Sequence, residues 1–139
     1  MSTLDQGLID RLLSFRKRRD WEQFHTVRNL SASLVIEASE LLEFFRWARD
    51  EELNQIITDG REGIEDELAD VAILLTYLCV DMKIDLDVAV GRKLEKNAVK
   101  YPANRARGIA NAVRRLHPCS RSALGIRPRA CIRVPRRPS

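Results

Sequence analysis

Stepping about 100° per residue from Leu30 puts Leu34, Leu41 and Phe45 between about 20° and 60° on one helical face. Ala38 and Leu42 widen the arc to about 120°, and Phe44 lies at about −40°. The same period returns in "IEDELADVAILLTYLCV", 64–80, where Val71, Leu74 and Leu78 lie within about 40° of Glu67. Leu4, Leu8, Leu12 and Phe15 give an earlier helix its seam. That helix is expected to start at Ser2 or Thr3 and to end in "RKRRD". A short aromatic segment, "DWEQFH", follows with Asp20 as its N-cap. Asn29 or Ser31 then caps a second long helix that runs to about Asp50. "DEELNQIITDGREG" turns the chain, with Gly60 and Gly63 as breakers and room for a short helix. After "DMKID", Asp85 caps "LDVAVGRKLEKNAVKY", which Pro102 stops. With no strand-like alternation, the four long helices predict an all-α, antiparallel helix bundle.

Acidic residues interrupt both main seams. Glu37, at about −20°, lies inside the arc of the second helix, and Glu40, at about −80°, lies on its edge. Glu43 points away, at about 220°. Asp70 flanks Glu67 at about −60°, whereas Glu65 and Asp66 face elsewhere. The two pairs are equally far from a hairpin centre between Leu53 and Asn54, so Glu37, Glu40, Glu67 and Asp70 can meet on facing helices. Two like charges about 4 Å apart cost on the order of 4 kcal/mol at an effective dielectric of 20. Desolvation adds to that cost. A cation should therefore join them, and an all-oxygen set selects Mg²⁺, with Mn²⁺ as a substitute. The alternative is four acids solvated or paired with arginines. Di-iron bundles would require Glu-x-x-His, but Glu43 and Ile73 occupy those positions.

Composition divides the chain in two. Of 24 basic residues, 16 precede residue 110 against 20 acidic ones, so the body carries −4. Residues 110–139 hold eight arginines, four prolines, no lysine and no acid. The expected organisation is a helical domain over 1–108 and an Arg/Pro-rich, unpacked extension over 109–139. The extension's charge could attract nucleic acid or acidic partners. It lacks the interleaved aromatics of a single-strand binder, so nucleic acid is not expected as a partner. No apolar run reaches 18 residues, so no membrane span is expected. The start lacks a signal-peptide pattern, and Cys79, Cys119 and Cys131 follow no metal spacing. Both features suit a reducing, cytoplasmic setting.

The pattern Glu37-x-x-Glu40 and Glu67-x-x-Asp70 occurs together with "RDWEQFH", "RNL", "FFRW", "DELADV" and "KLEKNAVKYP". Over about residues 5 to 108 this resembles the MazG-like all-α nucleoside triphosphate pyrophosphohydrolases, most closely their dCTP pyrophosphatase branch. The resemblance implies a four-helix core assembled as a dimer or tetramer. It also implies Mg²⁺-dependent hydrolysis of a nucleoside triphosphate to the monophosphate and pyrophosphate, with dCTP or a related pyrimidine nucleotide as substrate and nucleotide-pool house-cleaning as the role. The four acids would hold the metal, and one of the four, Glu40 at the seam's edge being one candidate, would also accept a proton from water; the sequence does not assign which. Lys93, Asn97 and Tyr101, which recur at four-residue steps, would contact phosphate and sugar. A solvated helix face would show the same spacing. Trp21, His25 and Trp47 would enclose the base, although core packing is the other use of such aromatics. Phosphoribosyl-ATP pyrophosphohydrolases share the fold and the acids, but the aromatic segment favours a free nucleotide. Val27 stands where the family often has proline, which leaves the preferred base open. Ile36, at about 240°, faces away from the main arc, toward a partner subunit.

Overall fold

The computed structural model describes residues 4–108. They form helices α1 (Gln6–Arg18), α2 (Val27–Glu43), α3 (Leu53–Asp59), α4 (Arg61–Asp81), α5 (Leu86–Lys100) and α6 (Ala103–Ala106). Single 3₁₀ turns occupy Trp21–Gln23 and Asp50–Glu52, and no strand occurs among the described residues. The all-α expectation holds. The expected 109–139 extension lies outside the described residues. The chain divides into two compact units between Lys93 and Leu94, and the first contains all four acids.

Side-chain chemistry at the helix starts moves several expected boundaries. Helix α1 begins at Gln6 rather than after Ser2 or Thr3, because extended Asp5 accepts the Leu8 N–H at 2.9 Å. Arg16, Lys17 and Arg18 fill its last turn, where cations complement the exposed carbonyls. Helix α2 begins before both expected caps, since Thr26 accepts the Asn29 N–H at 3.2 Å. Asn29 instead donates its side-chain amide to the Phe24 carbonyl at 2.8 Å, and the Ser31 hydroxyl bonds back to Val27 within the helix. The helix stops at Glu43 rather than near Asp50, as tight turns at Phe45 and Ala48 take over. Asp20 precedes the aromatic turn without capping it. Its backbone is left-handed, with φ of 54°, and its carboxylate binds the Gln23 side chain at 2.6 Å. Gly63 breaks nothing, because α4 already starts at Arg61. Asp85 does cap α5, accepting the Val88 N–H at 3.0 Å, and a short helix does sit in the turn as α3.

Helices α2 and α4 run antiparallel and are joined at both ends of their pairing. At one end Leu30, only 1% exposed, meets Tyr77 and Leu78, with Leu12, Leu13, Leu34, Ile73 and Leu74 packed around them. At the other end the Phe44 ring lies over Gly60 and Gly63, and a Cβ on Gly63 would come within 2.8 Å of Phe44 Cζ. Gly63→Ala therefore opposes a helix-propensity gain of about 1 kcal/mol with an overpacking cost of about 1–3 kcal/mol. The expected result is a net loss of about 1 kcal/mol in urea denaturation. The Phe44→Leu background, which opens that space, should turn the same change into a gain.

Several large apolar side chains are open to solvent among the described residues. Val88 and Val90 on the first half of α5 are exposed, as are Val35, Ile36 and Leu42 on α2 and Leu68 on α4.

Candidate active site

The inward tilt of the two acid pairs follows from the pairing of α2 with α4. Glu37, Glu67 and Asp70 each offer one oxygen, and these oxygens lie within 4.8 Å of one another. Glu37 and Glu67 are half-buried, and Asp70 is exposed at the rim. Glu40 is exposed and stands outside the trio, with its charge felt by Glu37. The neighbouring acids that the helical period turned outward are used outward. Glu43 pairs with Arg46 at 2.6 Å, and Glu65 with Arg61 at 2.8 Å.

The electrostatics show a cluster short of positive charge. Desolvation, followed by the charges of Glu40, Asp70 and Glu67, raises Glu37 above the usual carboxylate range. Desolvation and the charges of Glu40, Asp70 and Asp66 raise Glu67 as well, while a hydrogen bond from Glu37 acts the other way. Glu67 Oε2 is buried and has no hydrogen-bond partner, which is costly for a carboxylate oxygen. Three convergent oxygens, one of them orphaned, fit a hard divalent cation.

A second cluster lies where α1, the aromatic turn and α4 meet. Phe15 and Trp21 stand edge to face at 5.7 Å, Trp21 and His25 are 5.8 Å apart, and His25 and Tyr77 are 5.7 Å apart. Trp21 and His25, both expected at the base, are thus brought together. Trp47 is not with them. It is 83% exposed, and the Arg46 guanidinium lies 5.0 Å from its ring centroid. Lys93 is exposed on α5. Asn97 and Tyr101 belong to the second unit, where the Tyr101 N–H donates to the Asn97 carbonyl at 2.8 Å and Lys100 Nζ lies 5.3 Å from the tyrosine ring centroid.

Sequence reasoning read Phe15 only as a seam residue and passed over Arg16, Asp81 and Tyr77, which also belong to this cluster. A signal was present: Arg16 lies one turn beyond Leu12, and Asp81 one turn beyond Tyr77, each in line with its helix's seam.

The sequence profile of the MazG-like family matches residues 32–116, which include all four acids. The chain belongs to the MazG-like family. Among MazG-like relatives, bovine dCTP pyrophosphatase 1 is 42% identical over 98 residues, covering 69% of this chain and 58% of that protein. The human dCTP pyrophosphatase 1 is 43% identical over 95 residues, covering 67% and 56%. The chain thus spans less than two thirds of the length of these curated relatives. A crystal structure of a pyrophosphatase from Archaeoglobus fulgidus aligns with a TM-score of 0.68 and 43% identity, over 70% of this chain and 91% of that one. The MazG-like fold is therefore all-helical here and carries an acidic cluster suited to metal.

Proposed function

We propose that this chain hydrolyses nucleoside triphosphates between the α- and β-phosphates, giving the monophosphate and pyrophosphate, with dCTP or a related pyrimidine deoxynucleotide as substrate and cleansing of the nucleotide pool as the role. The observation that carries the reading is the meeting of Glu37, Glu67 and Asp70, with one buried oxygen of Glu67 left unpaired. The relatives' activity supports the substrate class. Glu37, Glu67 and Asp70, with Glu40 beside them, would hold Mg²⁺. When bound, the ion supplies charge for the triphosphate and lowers the pKa of water.

The protein's own part is geometric. Helices α2 and α4 fix the carboxylates on a rigid antiparallel pair, so the site forms on folding rather than on binding. We assign to Glu40, whose exposure leaves it open to water, the part of accepting a proton from an attacking water. Trp21 and His25 offer a ring face and an imidazole edge for the base. Lys93, Asn97, Tyr101 and Trp47 are proposed for the remaining contacts to phosphate, sugar and base. The open apolar residues of α2, α4 and α5 support assembly as a homodimer or homotetramer.

The test incubates the full chain with Mg²⁺ and a panel of ribo- and deoxynucleoside triphosphates, and separates pyrophosphate from orthophosphate. Pyrophosphate release, fastest with dCTP, is the expected outcome. Orthophosphate alone, or no turnover with any nucleotide, would reject the reading.

A further inference from the structure

Arg16, at the inner side of the aromatic cluster, is only 5% exposed. Arginine is almost never so buried unless it is paired. Its Nη1 donates to Asp81 Oδ2 at 2.9 Å and its Nη2 to Oδ1 at 2.8 Å, a two-pronged contact between α1 and α4. The same guanidinium lies 4.7 Å from the centroid of the Tyr77 ring. Tyr77 is itself buried, and its hydroxyl donates to the Leu12 carbonyl at 3.0 Å. His25 packs against Tyr77 with the two rings tilted at 43°, and Trp21 lies beyond His25. Packed side chains therefore run without a break from a buried ion pair to the imidazole.

The ring of His25 is held by that packing. Its Nδ1 is buried and makes no hydrogen bond within the protein, so no direct bond to it fixes the ring. A buried ion pair is also a weak device for stability, since apolar residues of the same volume often do as well. What it supplies that leucine does not is a fixed cation beneath one aromatic ring and close to a second.

We propose that Arg16, Asp81 and Tyr77 are positioning residues for His25, orienting its imidazole toward the nucleobase and thereby setting nucleotide affinity without touching the nucleotide. This rests on the reading of Trp21 and His25 as base-binding residues. Burial first, and the charge of Arg16 second, hold His25 below the usual histidine range, while Asp81 pulls the other way. The charged and titratable groups facing this cluster are Arg16 and Arg19 from α1, Tyr77 and Asp81 from α4, and Glu22 from the aromatic turn, which acts on Arg16. With Nδ1 enclosed, a neutral imidazole can present the Nε2 lone pair to a base edge, whereas the charged form presents only a donor there.

The experiment uses the full chain, Mg²⁺ and dCTP. The chain has two histidines, so His117→Gln leaves the His25 ring as the one imidazole followed by NMR. Arg16→Met with Asp81→Leu removes both charges and keeps the volume. In that variant KM for dCTP is expected to rise about tenfold with kcat within about threefold of the parent, and the His25 midpoint to move upward. Asp81→Asn leaves Arg16 uncompensated and should move the midpoint downward. Arg16→Lys keeps the charge but loses the fork and the stacking. It should leave the midpoint near the parent value while KM still rises. A folded double variant with the parent's KM overturns the proposal, and so does a double variant whose KM rises while its His25 midpoint stays unmoved, which would mark a merely structural loss. Should the double variant fail to fold, an unchanged KM in Arg16→Lys overturns it instead. Absence of turnover in the parent rejects the pyrophosphohydrolase reading and this inference with it. Turnover in the parent with unchanged KM in the variants rejects this inference alone.

Discussion

Glu67→Gln should reduce turnover by about 10³-fold or more, since the interaction lost is worth several kcal/mol and each 1.36 kcal/mol is tenfold in rate. The same change should abolish stabilisation by Mg²⁺. At a hundred times its Kd, a bound ion adds about 2.7 kcal/mol, which corresponds to a rise of about 10 °C in the thermal midpoint of a domain of this size. Glu37→Gln should behave alike with Mg²⁺ but reveal an opposite effect in EDTA. Glu37 holds its proton more tightly folded than unfolded. Folding is therefore unpenalised below the carboxylate range and loses stability as pH rises through it, where the folded cluster must accept an unwelcome charge. At neutral pH without metal, Glu37→Gln should thus melt higher than the parent. That gap should close as the pH falls below the carboxylate range. A parent that melts no lower than the variant in EDTA, or a Glu67→Gln protein with normal turnover, would mean that these acids are not a cation site.

The second large effect has the opposite sign. Asp81→Ala leaves the Arg16 guanidinium inside the protein without its counter-charge. Removing one partner of a buried pair typically costs about 3–5 kcal/mol. The Asp81 side chain is 24% exposed, so water can reach the cavity and the lower figure, about 3 kcal/mol, is expected. Urea denaturation should show that loss as a lower midpoint with little change in slope. Adding Arg16→Met should restore much of it, because the charge left stranded is then gone. If Asp81→Ala is as stable as the parent, the ion pair contributes nothing to joining α1 to α4. In short, deleting an acid from the metal cluster should stabilise the metal-free chain, and deleting this one should weaken it.

The sequence made the acids legible because one property, helical period, decides both which residues are buried and which carboxylates share their face. Glu43 and Glu65 were read as outward for the same reason and are found paired on the surface. The helix starts were less legible, since caps depend on one residue's backbone angle. Thr26 captured the Asn29 N–H and set α2 running earlier than Asn29 or Ser31 would have done. Arg16 was hidden by its neighbours, for in "RKRRD" it looks like one of four interchangeable cations at a helix end. Only the approach of α4, with Asp81 one turn past Tyr77, distinguishes it. The open face of α5 could not be foreseen either, because the helical period shows which side is apolar but not whether this chain or another covers it.

The close seating of Phe44 on Gly60 and Gly63 has a consequence for how such a chain can vary over evolutionary time. Together with the Leu30, Tyr77 and Leu78 contact it clamps α2 to α4 on either side of the acids. Residues 45–59, which link the clamped helices, are therefore released from setting the spacing of the carboxylates. Insertions or deletions there would be absorbed at small entropic cost, so the length of this connection can drift among descendants while the four acids keep their places.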